Sequence, residues 1–338
     1  MNSDIQFSII VPVYNRPDEM KELLDSLANQ TYKEFELVVV EDGSSIKSEE
    51  LCESYHDRIK ISYYYKENLG PSIGRNYGLA KAKGNYFLFF DSDCILPPHY
   101  MQTIHKELTE NFVDCYGGPD GAMDDFSDFQ KAISYAMTSF FTTGGIRGGK
   151  KQVHKFHPRS FNLGFSKAVY KNTGGFPVTT MHPGEDMVFA IEVIKRGFET
   201  RLVRDAYVFH KRRISFKKFY KQVFGFGKTR YIISKHYPET FKIFFLFPSL
   251  FVLGSIGSLL LGIVAHRVFA FPILLYAFLV LADALTKTKS FKISIKALVA
   301  SFIQLFAYGI GFLDAVWKHK ILGKDEFGVF GKGFYEEK

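Results

Sequence analysis

Apolar runs and helical stripes alternate along the first 210 residues. Phe7–Val13 (FSIIVPV) is a continuous apolar run of strand length. Met20, Leu23, Leu24 and Leu27 follow at the i, i+3, i+4, i+7 spacing of a helix that buries one face. Phe35–Val40 (FELVVV) predicts a second strand, Ser48–Tyr55 a short helix and Ile59–Tyr65 a third strand. Ser72–Ala82 then predicts a helix and Tyr86–Phe90 (YFLFF) a fourth strand. Strand and helix in strict turn imply an α/β fold, a mostly parallel sheet with helices on both faces. Open sheets of this kind bind ligands beyond the carboxyl ends of their strands, so chemistry is expected in the loops that follow each strand.

The pattern changes after residue 210. Lys211–Lys242 carries ten basic residues and one acid, Glu239. Within it Phe216, Phe219, Tyr220, Val223 and Phe224 recur at helical spacing, with Lys217, Lys218, Lys221 and Lys228 largely elsewhere. This predicts an amphipathic helix lying on an anionic lipid leaflet, with a solvated basic helix as the plainer alternative. Ile243–Ala265 is a run of 23 residues without a charge, long enough to cross a hydrocarbon core about 30 Å thick. Val268–Thr286 is broken only by Asp283, and Ala297–Leu313 is uncharged over 17 residues, near the lower limit for a span. Three hydrophobic helices are expected, the third also fitting a buried helix of a soluble bundle. Three crossings would put Lys318, Lys320 and Lys324 outside, against the positive-inside tendency, so one segment is a candidate for re-entry. The expected division is an α/β domain over 1–210, an interfacial segment over 211–242, membrane helices over 243–317 and a tail over 318–338. Met1–Gln6 is polar and the first apolar run reads as a strand, so no signal peptide is expected there.

Charge sharpens this division. Of 43 Lys and Arg and 35 Asp and Glu, residues 1–210 hold 23 and 28, and the remainder hold 20 and 7. A basic second part calls for an anionic partner, either nucleic acid or a membrane surface. The uncharged runs decide for an anionic bilayer and against nucleic acid. Lys and Arg ahead of the first span place the α/β domain on the cytoplasmic face, and the expected location is the cell inner membrane. Cys52, Cys94 and Cys115 lack CxxC spacing and are odd in number, which fits a reducing compartment.

Candidate chemistry sits where the pattern puts it. Tyr14-Asn15-Arg16 follows the first strand, Glu41-Asp42-Gly43-Ser44-Ser45 the second and Asp91-Ser92-Asp93 the fourth. Each alone is compatible with a turn. Together they place a carboxylate for a base or ribose, polar groups for a ring, and paired carboxylates for a hard divalent cation. Oxygen ligands with space for phosphate oxygens suit Mg²⁺ or Mn²⁺ bridging a diphosphate.

The stretches SIIVPVYNR, VVVEDGSS, NLGPSIGRNYGLAKAKGNYFLFFDSD and GGFPVTTMHPGEDMVFAIEVIKRGF resemble, in that order, the motifs of glycosyltransferase family 2, over roughly residues 7–213. The resemblance implies a GT-A, Rossmann-like fold and a nucleotide-sugar donor, in the first instance a UDP-sugar. Pro12, Tyr14, Asn15 and Asp42 would lie on the nucleoside side. Asp91, Ser92 and Asp93 would be the DxD segment for sugar, diphosphate and metal, and Arg75 would shape the donor pocket. Glu185-Asp186 would be the acceptor-side acidic pair. His210 would be a metal ligand or diphosphate contact, although a histidine at a strand end is equally often structural.

Transfer of a sugar develops negative charge on the leaving phosphate, and the acceptor hydroxyl must lose a proton. Asp186 is the candidate base, with Glu185 beside it either in the site or capping a helix. Residues 142–158, glycine-rich and basic, are either a surface loop or a lid. A compact Q-x-x-R-W motif is absent, only Gln222 and Arg230 standing in that region, which favours single-sugar transfer over chain extrusion. The expected enzyme is an inverting hexosyltransferase. Its acceptor would be lipid-linked or membrane-presented, in envelope polysaccharide or glycolipid synthesis. The alternatives are a polyprenyl-phosphate transferase and a non-catalytic membrane-anchored nucleotide-sugar sensor.

Overall fold

The computed structural model describes residues 5–121, 126–144, 156–177, 183–211 and 215–324. The first half alternates as the pattern predicts: β1 (Phe7–Val13), α1 (Pro17–Ala28), β2 (Phe35–Asp42), α2 (Glu49–Glu53), β3 (Ile61–Lys66), α3 (Pro71–Lys81) and β4 (Tyr86–Phe90). There follow β5 (Cys94–Ile95), α4 (Tyr100–Glu110), β6 (Cys115–Gly117), β7 (Asp120–Gly121), α5 (Asp128–Thr138) and α6 (Phe140–Thr143). The domain ends with β8 (Asn162–Ser166), α7 (Lys167–Thr173), α8 (Glu185–Lys195), β9 (Thr200–Leu202) and β10 (Val208–His210).

The main sheet has the order β3-β2-β1-β4-β8-β6-β9. β1, β2, β3 and β4 are mutually parallel, and β8 inserts antiparallel between β4 and β6. Two apolar clusters cover its faces. One packs Met20, Leu23, Leu24 and Leu27 of α1 against Ile9, Val11, Leu37 and Val39, and the other packs Leu79, Phe165, Phe176 and Phe189 against Ile10, Val38 and Phe89. Alternate residues of each strand thus face opposite layers, as the period of a strand requires. A small second sheet, β5-β10-β7, sits at the carboxyl end of β4.

Beyond the domain lie α9 (Phe216–His236), α10 (Phe247–Val264), α11 (Phe271–Thr288) and α12 (Phe291–Ala315), the last continuing through a π turn over Val316–Ile321. All three of the last helices are long and apolar enough to span a membrane. Two details differ from the sequence reading. The third apolar helix is much longer than 17 residues, because the charges that bound the uncharged run have partners: Lys292 and Lys296 pair with Asp128, and Asp314 pairs with Lys228. The apolar stripe of α9 also meets protein rather than lipid, since Phe219 and Val223 are fully buried against Ile133 and Ala136 of α5 and Ala300 and Ala307 of α12. The 142–158 loop lies mostly outside the described residues, as does the junction at Arg212–Arg213.

Candidate active site

The loops after β1 and β2 are tied to each other. Asn15 adopts a left-handed conformation (φ 52°), and its Oδ1 accepts from Ser45 N (2.9 Å) and Ile46 N (3.0 Å). Gly43 is required where it stands: its φ is +77°, and a Cβ there would come within 2.5 Å of the Asn68 nitrogen. Both acids of this loop are engaged. Glu41, fully buried, accepts from the Ser44 hydroxyl and from Ser48 N (2.8 Å). Asp42 pairs with Lys66 and accepts from Leu69 N (3.1 Å) and Gly70 N (3.0 Å). Asp42 therefore fixes the 66–70 loop, which leads into α3. Gly74, in the first turn of that helix, packs towards Pro12, while Tyr14 stays half exposed.

The two aspartates after β4 meet two guanidinium groups and one imidazole. Asp93 Oδ2 accepts from Arg16 Nη1 at 2.7 Å, and Asp93 Oδ1 lies 3.1 Å from His210 Nε2. The small sheet is what brings the histidine there, because β10 pairs with β5 so that His210 stands opposite Cys94. Asp91 Oδ1 accepts from Arg75 Nη2 at 3.1 Å. Burial alone would raise the Asp93 pKa, but His210 and Arg16 outweigh it and hold the carboxyl well below the usual carboxylate range. Phe161 stacks on the His210 ring at 5.0 Å. Asp93, Cys94 and His210 offer ligand atoms within 4.8 Å of one another. Burial keeps the Cys94 thiol far above its ordinary pKa, so it remains a neutral thiol, close to the Phe161 carbonyl (3.4 Å). The usable donors are carboxylate oxygens and one imidazole, a set that fits Mg²⁺ or Mn²⁺ and disfavours a soft metal.

The opposite wall is the first turn of α8. Gly184 precedes it with φ 131° and has no side chain to cap it, while Glu185 Oε2 accepts from Gly184 N (3.0 Å) and Asp186 Oδ1 from Met187 N (2.7 Å), so both acids also bind amides of this helix end. Glu185 is buried, and its Oε1 accepts from Arg75 Nη1 at 3.2 Å. One buried guanidinium, lying over the Phe176 ring, thus joins Asp91 to Glu185. Burial would depress Arg75; Asp91, Glu185 and Asp186 together hold its pKa raised. Asp186, whose side chain is 18% exposed against 7% for Glu185, pairs with Arg159 at 3.2 Å. This wall rests on α9, where the Thr229 hydroxyl donates to the Pro183 carbonyl at 2.6 Å. Arg230, the next residue of α9, lies over the Phe245 ring at 4.1 Å. Burial depresses its guanidinium, and Arg159 adds to the depression while Tyr308 and Asp186 oppose it.

The structure therefore brings Asp93 and His210 together, and Arg75 joins Asp91 to Glu185, with Asp186 beside it paired to Arg159; Asp91 is not part of the Asp93, Cys94 and His210 group. Sequence reasoning missed the roles of Arg16, Glu41, Lys66 and Arg159. Arg16 stood in a loop already singled out. Lys66 fell one residue beyond the predicted end of its strand, and Arg159 one residue beyond the basic loop.

Residues 8–173 match the family described as Glycosyl transferase family 2. Glycosyltransferase GlyA of Streptococcus pneumoniae serotype 4 is 41% identical over 112 residues, covering 33% of this chain and 16% of its own length. The chain thus matches only a minor part of that relative. Among solved structures, the mannosyltransferase PcManGT from Pyrobaculum calidifontis, in complex with GDP-Man and Mn²⁺, superposes with a TM-score of 0.58 at 15% identity, over 94% of this chain and 88% of its own. S. aureus TarS in complex with UDP-GlcNAc gives 0.51 at 20% identity, over 95% and 93%. At such identities the likeness is one of fold, and the fold is GT-A.

Proposed function

From a chain whose residues 8–173 form a glycosyl transferase family 2 domain, we propose a metal-dependent inverting glycosyltransferase. It moves one sugar from a nucleotide-diphosphate sugar to a lipid-linked or membrane-presented acceptor at the cytoplasmic face of the inner membrane, in envelope polysaccharide or glycolipid synthesis. The observation that carries this reading is that one buried guanidinium, Arg75, links Asp91 of the pair Asp91 and Asp93 to Glu185 of the pair Glu185 and Asp186. The fold neighbours hold UDP-GlcNAc and GDP-Man, which supports a nucleotide-sugar donor, with a UDP-sugar the first to test.

In this reading Pro12, Tyr14, Asn15 and the loop fixed by Asp42 form the nucleoside wall. Asp91, Asp93 and His210 would hold the divalent cation, with Ser92 between the carboxylates. That ion, when bound, neutralises charge on the leaving diphosphate. Arg16 holds Asp93 in place and Arg75 holds Asp91, each through an ion pair. Arg75 also fixes Glu185 and leaves Asp186 as the more open carboxylate of its pair. Asp186 takes the proton of an acceptor hydroxyl that attacks opposite the leaving group, which inverts the anomeric centre.

Arg159 and Arg230 beside Asp186 favour a second reading, in which the acceptor is a lipid phosphate. An already ionised phosphate oxygen needs no base, and two guanidinium groups suit it well. Titration calorimetry with UDP-sugars and GDP-sugars, with and without Mn²⁺, tests the donor assignment. Metal-dependent binding that Asp93→Asn abolishes is expected, and equal binding by Asp93→Asn would remove these carboxylates from the donor site.

A further inference from the structure

α10, α11 and α12 share an apolar composition but not surroundings. In α10 and α11 only 17% and 11% of the apolar window is buried in protein, against 44% in α12. α12 has partners from the catalytic side along its whole length. Lys292 and Lys296 pair with Asp128 at its start, at 2.8 and 3.5 Å. Ala297 packs with Ala132 and Tyr135, and Ala300 and Ala307 pack with Phe219 and Val223. A Cβ on Gly227 would lie 2.1 Å from the Tyr308 carbonyl, and one on Gly311 would lie 2.2 Å from that of Phe224, so α9 and α12 touch backbone to backbone. Asp314 then pairs with Lys228 at 2.9 Å, and His319 stacks on Tyr231. From Lys292 to His319 this is about 40 Å at 1.5 Å per residue, with α5 or α9 alongside throughout.

A helix across the bilayer would draw α9 into hydrocarbon with it, and the exposed face of α9 carries Lys217, Lys218 and Lys221. Three exposed lysines at that depth are costly. The other two helices behave differently. α10 meets α12 through its first turns, at Pro248, Ser249 and Val252. α11 meets the body of the protein through its later turns, where Val280 and Ala284 are buried and Asp283 accepts from the Tyr135 hydroxyl at 2.6 Å, and nearer its start through Tyr276, whose hydroxyl donates to the Phe141 carbonyl at 3.3 Å and whose ring packs on Phe302 of α12. Their far ends carry exposed Ile263, Val264, Leu274 and Phe278.

We propose that only α10 and α11 cross the membrane, as a hairpin turning near Ala265–Ala270, and that α12 lies in the boundary plane between this hairpin and the catalytic domain. The proposal rests on the membrane-anchored reading above. Each hairpin arm of 22 residues is about 33 Å long, enough for a core of about 30 Å. It returns Lys318, Lys320 and Lys324 to the side of the catalytic domain, with Lys242, Lys287, Lys289, Lys292 and Lys296, and leaves Arg267 at the turn, in accord with the positive-inside tendency.

Single-cysteine variants of the full chain test this in sealed membrane vesicles, using a membrane-impermeant maleimide. The three native cysteines are buried and give the background. Lys320→Cys and Lys292→Cys should label in the same vesicle orientation as Glu50→Cys on the catalytic domain, and His266→Cys only in the opposite one. Labelling of Lys320→Cys together with His266→Cys would establish three crossings and overturn the proposal, and so would labelling of all four from one side. The chain's single tryptophan, Trp317, gives a readout without substitution: an impermeant quencher should reach it from the catalytic side only. Release of the whole chain by carbonate washing would instead defeat the membrane-anchored reading itself.

Discussion

The two acidic walls of the cleft are built on the same plan but balanced differently. In each pair one carboxylate is buried and one is more open: Asp93 and Glu185 against Asp91 at 34% and Asp186 at 18% exposure. Asp91 and Asp93 are compensated by Arg16, Arg75 and His210, contributed by three separate segments. Among the described residues, Glu185 pairs with Arg75 and Asp186 with Arg159, and the two carboxylates also accept from Gly184 N and Met187 N. A buried carboxylate pair is costly without cations. In the proposed reading a divalent ion would share the Asp91 and Asp93 carboxylates with their present partners, and the Glu185–Asp186 pair would face the acceptor. Arg75 belongs to both walls, which couples them.

Breaking the donor wall should have the largest effect. Asp93→Asn removes the carboxylate held by both Arg16 and His210, and transfer should fall by on the order of 10⁴-fold, in parallel with the loss caused by chelator. A steady-state assay with added Mn²⁺ checks it. Arg75→Met leaves Asp91 and Glu185 facing each other without their shared cation. It should cost about 3–5 kcal/mol of stability, read as a lowered denaturant midpoint of the detergent-solubilised chain.

Breaking the acceptor wall should separate chemistry from binding. Asp186→Asn should lower turnover by about 10²–10⁴-fold with donor affinity unchanged, measured by calorimetry beside transfer rates. Unchanged turnover would move the account to the phosphate-acceptor reading, and Arg159→Ala should then raise the acceptor KM. Glu185→Gln, which weakens one charged contact to Arg75 without emptying the site, should cost roughly tenfold. Gly227→Val forces a Cβ towards the Tyr308 carbonyl and pushes α9 off α12. It should reduce transfer to a lipid-presented acceptor while leaving donor binding intact, a comparison that vesicle and calorimetric assays make directly.

Legibility followed the distance over which each feature is decided. β1 to β4 and the loops after them could be read because each strand and turn is specified by neighbouring residues. The short helix contracted to Glu49–Glu53 and the third strand shifted to Ile61–Lys66, both within ordinary fraying. Asp91, Asp93, Glu185 and Asp186 stood out as acids at element ends. Arg75 and His210 entered through the family resemblance, but the pairings of Arg16 and Arg159 did not stand out, because Arg16 and Asp93 are 77 positions apart and Arg159 and Asp186 are 27 apart, and nothing local marks the pairing. The insertion of β8 between β4 and β6 was invisible for the same reason. Hydropathy found the three apolar helices but measured only composition. What distinguishes α12 from α10 and α11 is the set of partners on its other faces, including Asp128 and Lys228, which an uncharged-run criterion cannot register.

The central claim is that Asp91 and Asp93 hold the metal-bound diphosphate of a nucleotide sugar while the sugar is transferred. The most direct measurement is nucleotide release by the full chain reconstituted in lipid extract and offered a panel of nucleotide sugars with Mn²⁺. The account predicts release from one donor class, UDP-sugars first, dependent on the lipid acceptor and lost with both chelator and Asp93→Asn. Release that persists undiminished in Asp93→Asn, or no release from any nucleotide sugar while the native chain remains folded and lipid-bound, would contradict it.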